Sequence, residues 1–363
     1  MRLRLESRPE PSRAMLVASP LLAVGCTVAM GVLLFLALGQ RPATALHTFF
    51  VAPVSTRNGL AELLLKAAPL VLIAQGLAIG FRANVWNIGA EGQLTLGAIA
   101  ASALAIRFDG TDSGWLLPGM VLAGILGGMA WAAIPAYLRT RFHASEILVT
   151  LMLTYTATLL LSYLMHGPMR DPQGLNFPQS ILFGESALFP NVLEGTRLNA
   201  AIGFAGLASV AAWVFVTKTF AGYRMLVGGL APLAARYAGF SERQATWTAL
   251  LIGGAAAGLA GVGEVAGPLG QLLPTVSPGY GFAAIIVAFV GRLHPLGIVL
   301  AGLLMSLLYL GGEAAQIALQ IPYAVTGLFQ GTLLLCLLGS DLFVFYRVRF
   351  AAGGRRIGGG GRP

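Results

Sequence analysis

The chain has 363 residues, of which 56% are hydrophobic and only 10% charged, with a formal net charge of +9. A soluble domain carries roughly 25% charged residues, so this composition excludes an ordinary soluble protein and indicates one embedded in the lipid bilayer. The positive charge does not indicate nucleic acid, because the basic residues are scattered between apolar segments and not gathered on one face.

Apolar runs near the ~20 residues that cross a bilayer as a helix recur along the whole chain, which predicts an all-α polytopic membrane protein with about ten spans. In chain order they are Met15 to Leu38, Ala61 to Phe81, Ile88 to Ile106, Trp115 to Leu138 and Ala144 to Met165, then Leu198 to Val216, Thr246 to Ala266, Phe282 to Val290, Leu296 to Gly311 and Tyr323 to Leu338. The first exceeds a secretory apolar region and lacks a small-residue cleavage site, so it reads as retained. The pattern predicts a single transmembrane domain over 1–363, with an N-terminal tail 1–14, an external loop 166–197, a cytoplasmic loop 217–245 and a basic tail 347–363.

Placing the N-terminus in the cytoplasm puts seventeen of the 23 basic residues on the inner face, leaving Arg41, Arg57, Lys66, Arg107, Arg170 and Arg197 outside. The positive-inside rule selects that orientation, with both termini cytoplasmic. The inner set is Arg2, Arg4, Arg8, Arg13, Arg82, Arg139, Arg141, Lys218, Arg224, Arg236, Arg243 and Arg292, with Arg347, Arg349, Arg355, Arg356 and Arg362 in the tail. The eighth span strains the scheme, since nine residues of helix cover only about 14 Å of a ~30 Å core. The helix breakers of "SPGYG", Ser277 to Gly281, predict a broken crossing completed by irregular backbone inside the protein.

Chemistry-bearing residues are few. "FRANVWNIGAEGQ", Phe81 to Gln93, places Asn84, Asn87, Glu91 and Gln93 around Trp86 at a junction of two spans. Asn87 is expected to cap the returning helix and Glu91 to meet its dipole, but capping needs one residue, and the excess suggests a hydrogen-bonding vestibule. Glu62 and Lys66, four apart, are expected to pair along one helix, and Glu146 after Ser145 reads as a capping position. Cys26 and Cys336 sit in apolar runs, and no histidine pairs with a second ligand at metal spacing. No phosphate loop, H-E-x-x-H or G-x-S-x-G occurs, so the chain reads as neither an enzyme nor a nucleotide binder, and no cofactor is expected. In the loop 217–245, Pro232 is placed to start a short helix and Gly239 to stop it, with Leu233, Ala234, Ala235 and Tyr237 as a contact face and Arg236 as a charge. Such a helix suits docking on a soluble partner.

Three stretches resemble the permease subunits of ABC importers for simple sugars and nucleosides. They are "FRANVWNIGAEGQLTLGA", "GYR…P…AARYAGF" and "GYGFAAIIVAFVGRLHPLGI", with "SEILVTLML" between them. The chain departs from that pattern at Thr154, Leu226, Ala231 and His294. The resemblance implies a bacterial inner-membrane permease with a cytoplasmic ABC ATPase, a second and non-identical permease subunit, and an extracytoplasmic substrate-binding protein as partners. It also implies that Arg224, Pro232, Ala235, Arg236, Tyr237 and Gly239 couple to the ATPase. For a nucleoside or sugar, the expected pathway is Asn84, Trp86, Asn87, Glu91, Gln93, Tyr280 and Phe282, the aromatics stacking and the amides exchanging hydrogen bonds. An ion-coupled secondary transporter is the alternative reading, disfavoured because no carboxylate or lysine occupies the centre of a long span.

Overall fold

The computed structural model describes residues 2–7, 13–174, 177–322 and 324–351. Arg8, Arg355, Arg356 and Arg362 of the predicted inner-face set lie outside the described residues, as do parts of the tails 1–14 and 347–363 and two positions in the loop 166–197. In chain order the elements begin with β1 (Arg2–Ser7), α1 (Arg13–Ala37), α2 (Pro42–Leu46), α3 (Arg57–Arg82), α4 (Ala90–Arg107), α5 (Leu116–Phe142) and α6 (Glu146–His166). They continue with α7 (Ile202–Lys218), α8 (Phe220–Leu230), α9 (Pro232–Tyr237), α10 (Glu242–Val265), α11 (Tyr280–Val290), α12 (Pro295–Leu319), α13 (Ala324–Phe345) and β2 (Tyr346–Ala351).

Among the described residues the architecture is helical apart from one two-stranded ribbon and an isolated bridge between Asn191 and Asn199. Among the described residues six helices, α1, α3, α5, α6, α10 and α12, are long and apolar enough to cross a membrane, and α7 with α8, bent by 72°, makes a seventh if the pair is one span. The remaining predicted segments fall on α4, α11 and α13.

Contacts divide the chain into two compact units, Met1–Leu46 with Ile321–Pro363, and His47–Gln320, where the sequence reading takes one domain. In the first unit α1 packs on α13, Phe35 meeting Phe329 at 5.7 Å between ring centroids. There β1 pairs antiparallel with β2, Arg2 opposite Ala351, which brings the two strands to one end of the α1 and α13 pair.

The second unit is organised around α10, which packs against α3, α4 and α5. Glycines make this approach: Gly97 of α4 and Gly124 and Gly128 of α5 all face Gly258, and Gly76 of α3 faces Gly253 and Ala256. Without hydrophobic drive between helices in lipid, such backbone proximity supplies van der Waals contact that a larger side chain would block. These glycine contacts therefore hold α3, α4, α5 and α10 together.

The stretch expected to make a broken crossing has irregular backbone from Ala266 to Gly279 followed by the 11-residue α11, which takes in Tyr280 and Gly281 of the predicted breaker. The loop 166–197 pairs with that irregular stretch through Ser180 N–H to the Leu272 carbonyl (3.0 Å), Phe183 N–H to Gly270 (2.9 Å) and Phe189 N–H to Ala266 (2.8 Å). Irregular backbone away from helix or sheet is thus satisfied by protein.

On the face expected to be external, the Glu62 to Lys66 pair along α3 does not form. Arg197 instead grips Glu62 with two bonds of 2.8 and 2.9 Å, and Lys66 reaches Glu313 of α12 at 2.8 Å. A forked guanidinium fits a carboxylate better than a lysine one helical turn away. The Glu62 carboxylate in turn holds the Arg197 guanidinium above its ordinary pKa.

Candidate functional site

The stretch 83–89 leaves the end of α3, runs extended, and enters α4. Its path is set by α11, which it follows in the opposite sense. The Arg82 guanidinium donates to the Leu293 carbonyl just past the end of α11 (2.8 and 3.1 Å), Trp86 stacks on Phe289 (5.7 Å), and Glu91 meets the first turn of α11. Arg82 and Glu91 are therefore separated by roughly the length of α11, ~16 Å. The polar segment is the ascent of the chain into the bundle interior, not a turn on its rim.

Each predicted pathway residue finds a particular partner there. Asn87 and Gln93, 3% and 1% exposed, form a reciprocal amide pair, Asn87 Nδ2 to Gln93 Oε1 at 2.9 Å and Gln93 Nε2 to Asn87 Oδ1 at 3.2 Å. Asn87 Oδ1 also accepts the Gly89 N–H (3.0 Å), and Gly89 holds the cap position of α4. Asn87 is thus a brace between the ascent and the first turn of α4, not the predicted cap. The Trp86 indole lies against Phe81 (5.2 Å) and Phe289, and its Nε1–H donates to Asn84 Oδ1 (3.0 Å). Tyr280 is buried edge-on against Tyr309 (5.4 Å). Only Asn84 and Phe282 of the set are exposed.

Glu91 serves a helix other than its own. Its carboxylate accepts the Gly281 N–H at 2.6 Å and bonds Gly279 N–H and the Ser277 hydroxyl, while Ser277 Oγ accepts from Gly279 N (3.1 Å) and Tyr280 N (2.9 Å). A broken helix that begins inside a bundle leaves amides with no water to bind, and this carboxylate closes them. Gly281 is required because a Cβ there would fall 2.5 Å from the Glu91 Cα. Glu91→Ala is expected to lower the thermal stability of the detergent-solubilised protein by about 2–4 kcal/mol, while Glu91→Gln, which keeps an acceptor, loses about 1 kcal/mol. Equal melting midpoints for the two variants would contradict the capping role.

The sequence reading missed Gln75, whose Nε2 donates to Ser209 Oγ (3.0 Å) and the Pro295 carbonyl (2.9 Å), tying α3 to α7 and α12. Its signal was an isolated amide in an apolar run. Glu146 is an ion-pair partner of Arg139 and accepts the Trp86 N–H (3.4 Å), and the Ser145 side chain makes no capping bond.

The second candidate region is the loop 217–245. Thr219 caps α8 through the Gly222 N–H (3.0 Å), and Pro232 opens α9 at its first position. The predicted stop is a Schellman turn: Gly239 has φ +79°, its N–H meets the Arg236 carbonyl (3.1 Å), and Phe240 N–H meets Ala235 (2.9 Å). The turn orients α9 so that Ala235 faces inward, 4% exposed, while Leu233 and Tyr237 are 85% and 97% exposed. Arg236 is also exposed, and Arg224 lies over the Phe220 ring at 5.5 Å. Beneath these helices opens a hollow of ≈ 710 Å³, lined among others by Asn84, Arg139, Arg224, Arg236 and Gln244. No group of His, Cys, Asp or Glu able to hold a metal occurs among the described residues.

The bundle thus holds buried, mutually bonded polar groups, and outside it lies the short helix α9 with Leu233 and Tyr237 exposed. The family described as branched-chain amino acid transport system / permease component matches residues 59–338, and the chain belongs to it. It is an ABC transporter permease subunit. The chain is 36% identical to the glucose ABC transporter permease protein TsgB13 of Haloferax volcanii, covering 96% of this chain and 94% of that one. It is 30% identical to the guanosine ABC transporter permease protein NupP of Bacillus subtilis (92% and 95%) and 28% identical to the nucleoside ABC transporter permease protein NupB of Lactococcus lactis (81% and 83%). These relatives leave the ion-coupled alternative without support.

Proposed function

We propose that this chain crosses the inner (plasma) membrane ten times with both termini cytoplasmic, and works as one of two non-identical permease subunits importing a nucleoside or simple sugar. Energy comes from cytoplasmic ATPase subunits and the solute from an extracytoplasmic binding protein. The observation that carries the reading is α9, whose proline start, Schellman-capped C-terminal end and outward Leu233 and Tyr237 make a partly apolar protrusion on the face where basic residues are expected to collect. The relatives named for glucose, guanosine and nucleosides support a neutral hydroxylated solute. Because an equilibrium shifts only through differential contacts, ATP must change the grip of the ATPase on α8 and α9. Proteoliposomes holding this chain with its second permease and ATPase, supplied with binding protein, are expected to accumulate labelled guanosine or glucose only with ATP. Accumulation driven by an ion gradient without ATP would overturn the reading.

A further inference from the structure

The polar residues expected to line the path are committed to one another, so the face that meets the solute must lie elsewhere. Helix α6 is two-sided. Thr150, Thr154, Ala157, Leu161 and Met165 are buried, and Gly89 and Gly92 of the ascent and α4 sit directly on Thr150 and Thr154. The opposite stripe, Leu148, Met152, Tyr155, Leu159 and Tyr163, is exposed.

Tyr163 is near a helix end, where tyrosine suits a membrane interface. Tyr155 is not. It lies nine residues after Glu146 and eleven before His166, is 60% exposed, and its hydroxyl makes no hydrogen bond among the described residues. Some 14 Å from the nearer helix end, its hydroxyl stays well inside hydrocarbon if the stripe faces lipid, and such a group there lacks any partner. Thr156 and Thr158 beside it are also exposed, each bonded back to its own helix (3.0 and 3.1 Å) but with an oxygen left to accept. The mid-helix faces of α5 and α7 are different: Leu122, Leu126 and Ala130, and Leu207, Val210 and Ala211, carry no polar side chain.

We infer that the Tyr155 stripe of α6 lines the aqueous solute path, with Tyr155 as the contact for solute. The inference rests on the importer reading and deepens it by placing the path. The stripe carries no charged side chain, so it suits a neutral solute with a flat ring face and hydroxyls, the tyrosine ring stacking and its O–H exchanging bonds.

The test uses the assembled complex in its native membrane, with Cys26→Ser and Cys336→Ser as parent and single cysteines at Tyr155, Met152, Leu159 and, as lipid-facing control, Leu126. A membrane-impermeant thiol reagent is expected to modify Tyr155→Cys and Leu159→Cys at least about tenfold faster than Leu126→Cys, and saturating solute to slow the Tyr155→Cys reaction severalfold. Modification of both stripe positions only by a lipid-soluble reagent would overturn the inference in favour of lipid. Resistance to both reagents would overturn it in favour of a dry contact with the second permease. If Tyr155→Cys does not assemble, Met152→Cys and Leu159→Cys, one turn to either side, decide by the same criteria. Single-cysteine complexes that label as expected, on a parent that shows no ATP-driven uptake, would count against the importer reading and leave the wet face standing.

Discussion

Replacing Gly258 by valine is expected to leave no monodisperse protein after detergent extraction, whereas Gly206→Val is expected to behave like the parent. Gly258 stands where three backbones meet. A Cβ added there would lie 3.1 Å from the Gly128 Cα and press on the Gly124 carbonyl, and Gly97 of α4 faces the same spot. None of these is the far end of a flexible side chain, so relief requires α4, α5 and α10 to separate together. Overpacking a core costs about 1–3 kcal/mol where side chains can shift, and a site walled by main chain belongs at or above the top of that range. Gly206 on α7 has nothing within 4 Å of an added Cβ. There the loss of a flexible helix glycine is worth a few tenths of a kcal/mol or more in favour of the variant. Size-exclusion profiles and melting midpoints of both variants check the contrast; a folded Gly258→Val with the parent midpoint would contradict this packing.

What the sequence could and could not disclose follows the range of the interactions. The segments were legible because a run of apolar residues near twenty long has one use in a bilayer, and α9 was legible because Pro232 and Gly239 act within a single helical turn. The break before α11 was foreseeable from Ser277 to Gly281 for the same local reason. The polar cluster was visible as an anomaly, but its purpose was not. Glu91 caps a helix that begins 189 residues later, and the partners of Glu62 and Lys66 lie on the loop 166–197 and α12. Nothing in a linear pattern distinguishes a carboxylate that closes a remote helix from one that faces a solute. Tyr155 gave no signal of its own, because it sits inside an apolar run, and only the burial of the opposite stripe shows which way it points.

Removing the Arg236 and Tyr237 side chains together is expected to abolish ATP-driven uptake while leaving the permease folded. Both side chains are exposed, so alanine creates no cavity, and the Schellman turn that holds α9 is made by backbone groups the substitutions do not touch. A stability change within about 0.5 kcal/mol is therefore expected. Docking is another matter: exposed tyrosine and arginine that become enclosed on binding are the residue types that carry about 2 kcal/mol or more each. Losing about 4 kcal/mol weakens the ATPase contact roughly a thousandfold. Ala235 supplies the internal contrast, because it faces the protein and a larger residue there would tilt α9 instead of removing its contacts. Co-purification of the ATPase, uptake in proteoliposomes and the melting midpoint, measured on one preparation, separate these effects. Full uptake by the Arg236→Ala, Tyr237→Ala double variant would mean that α9 is not where ATP hydrolysis acts on this chain.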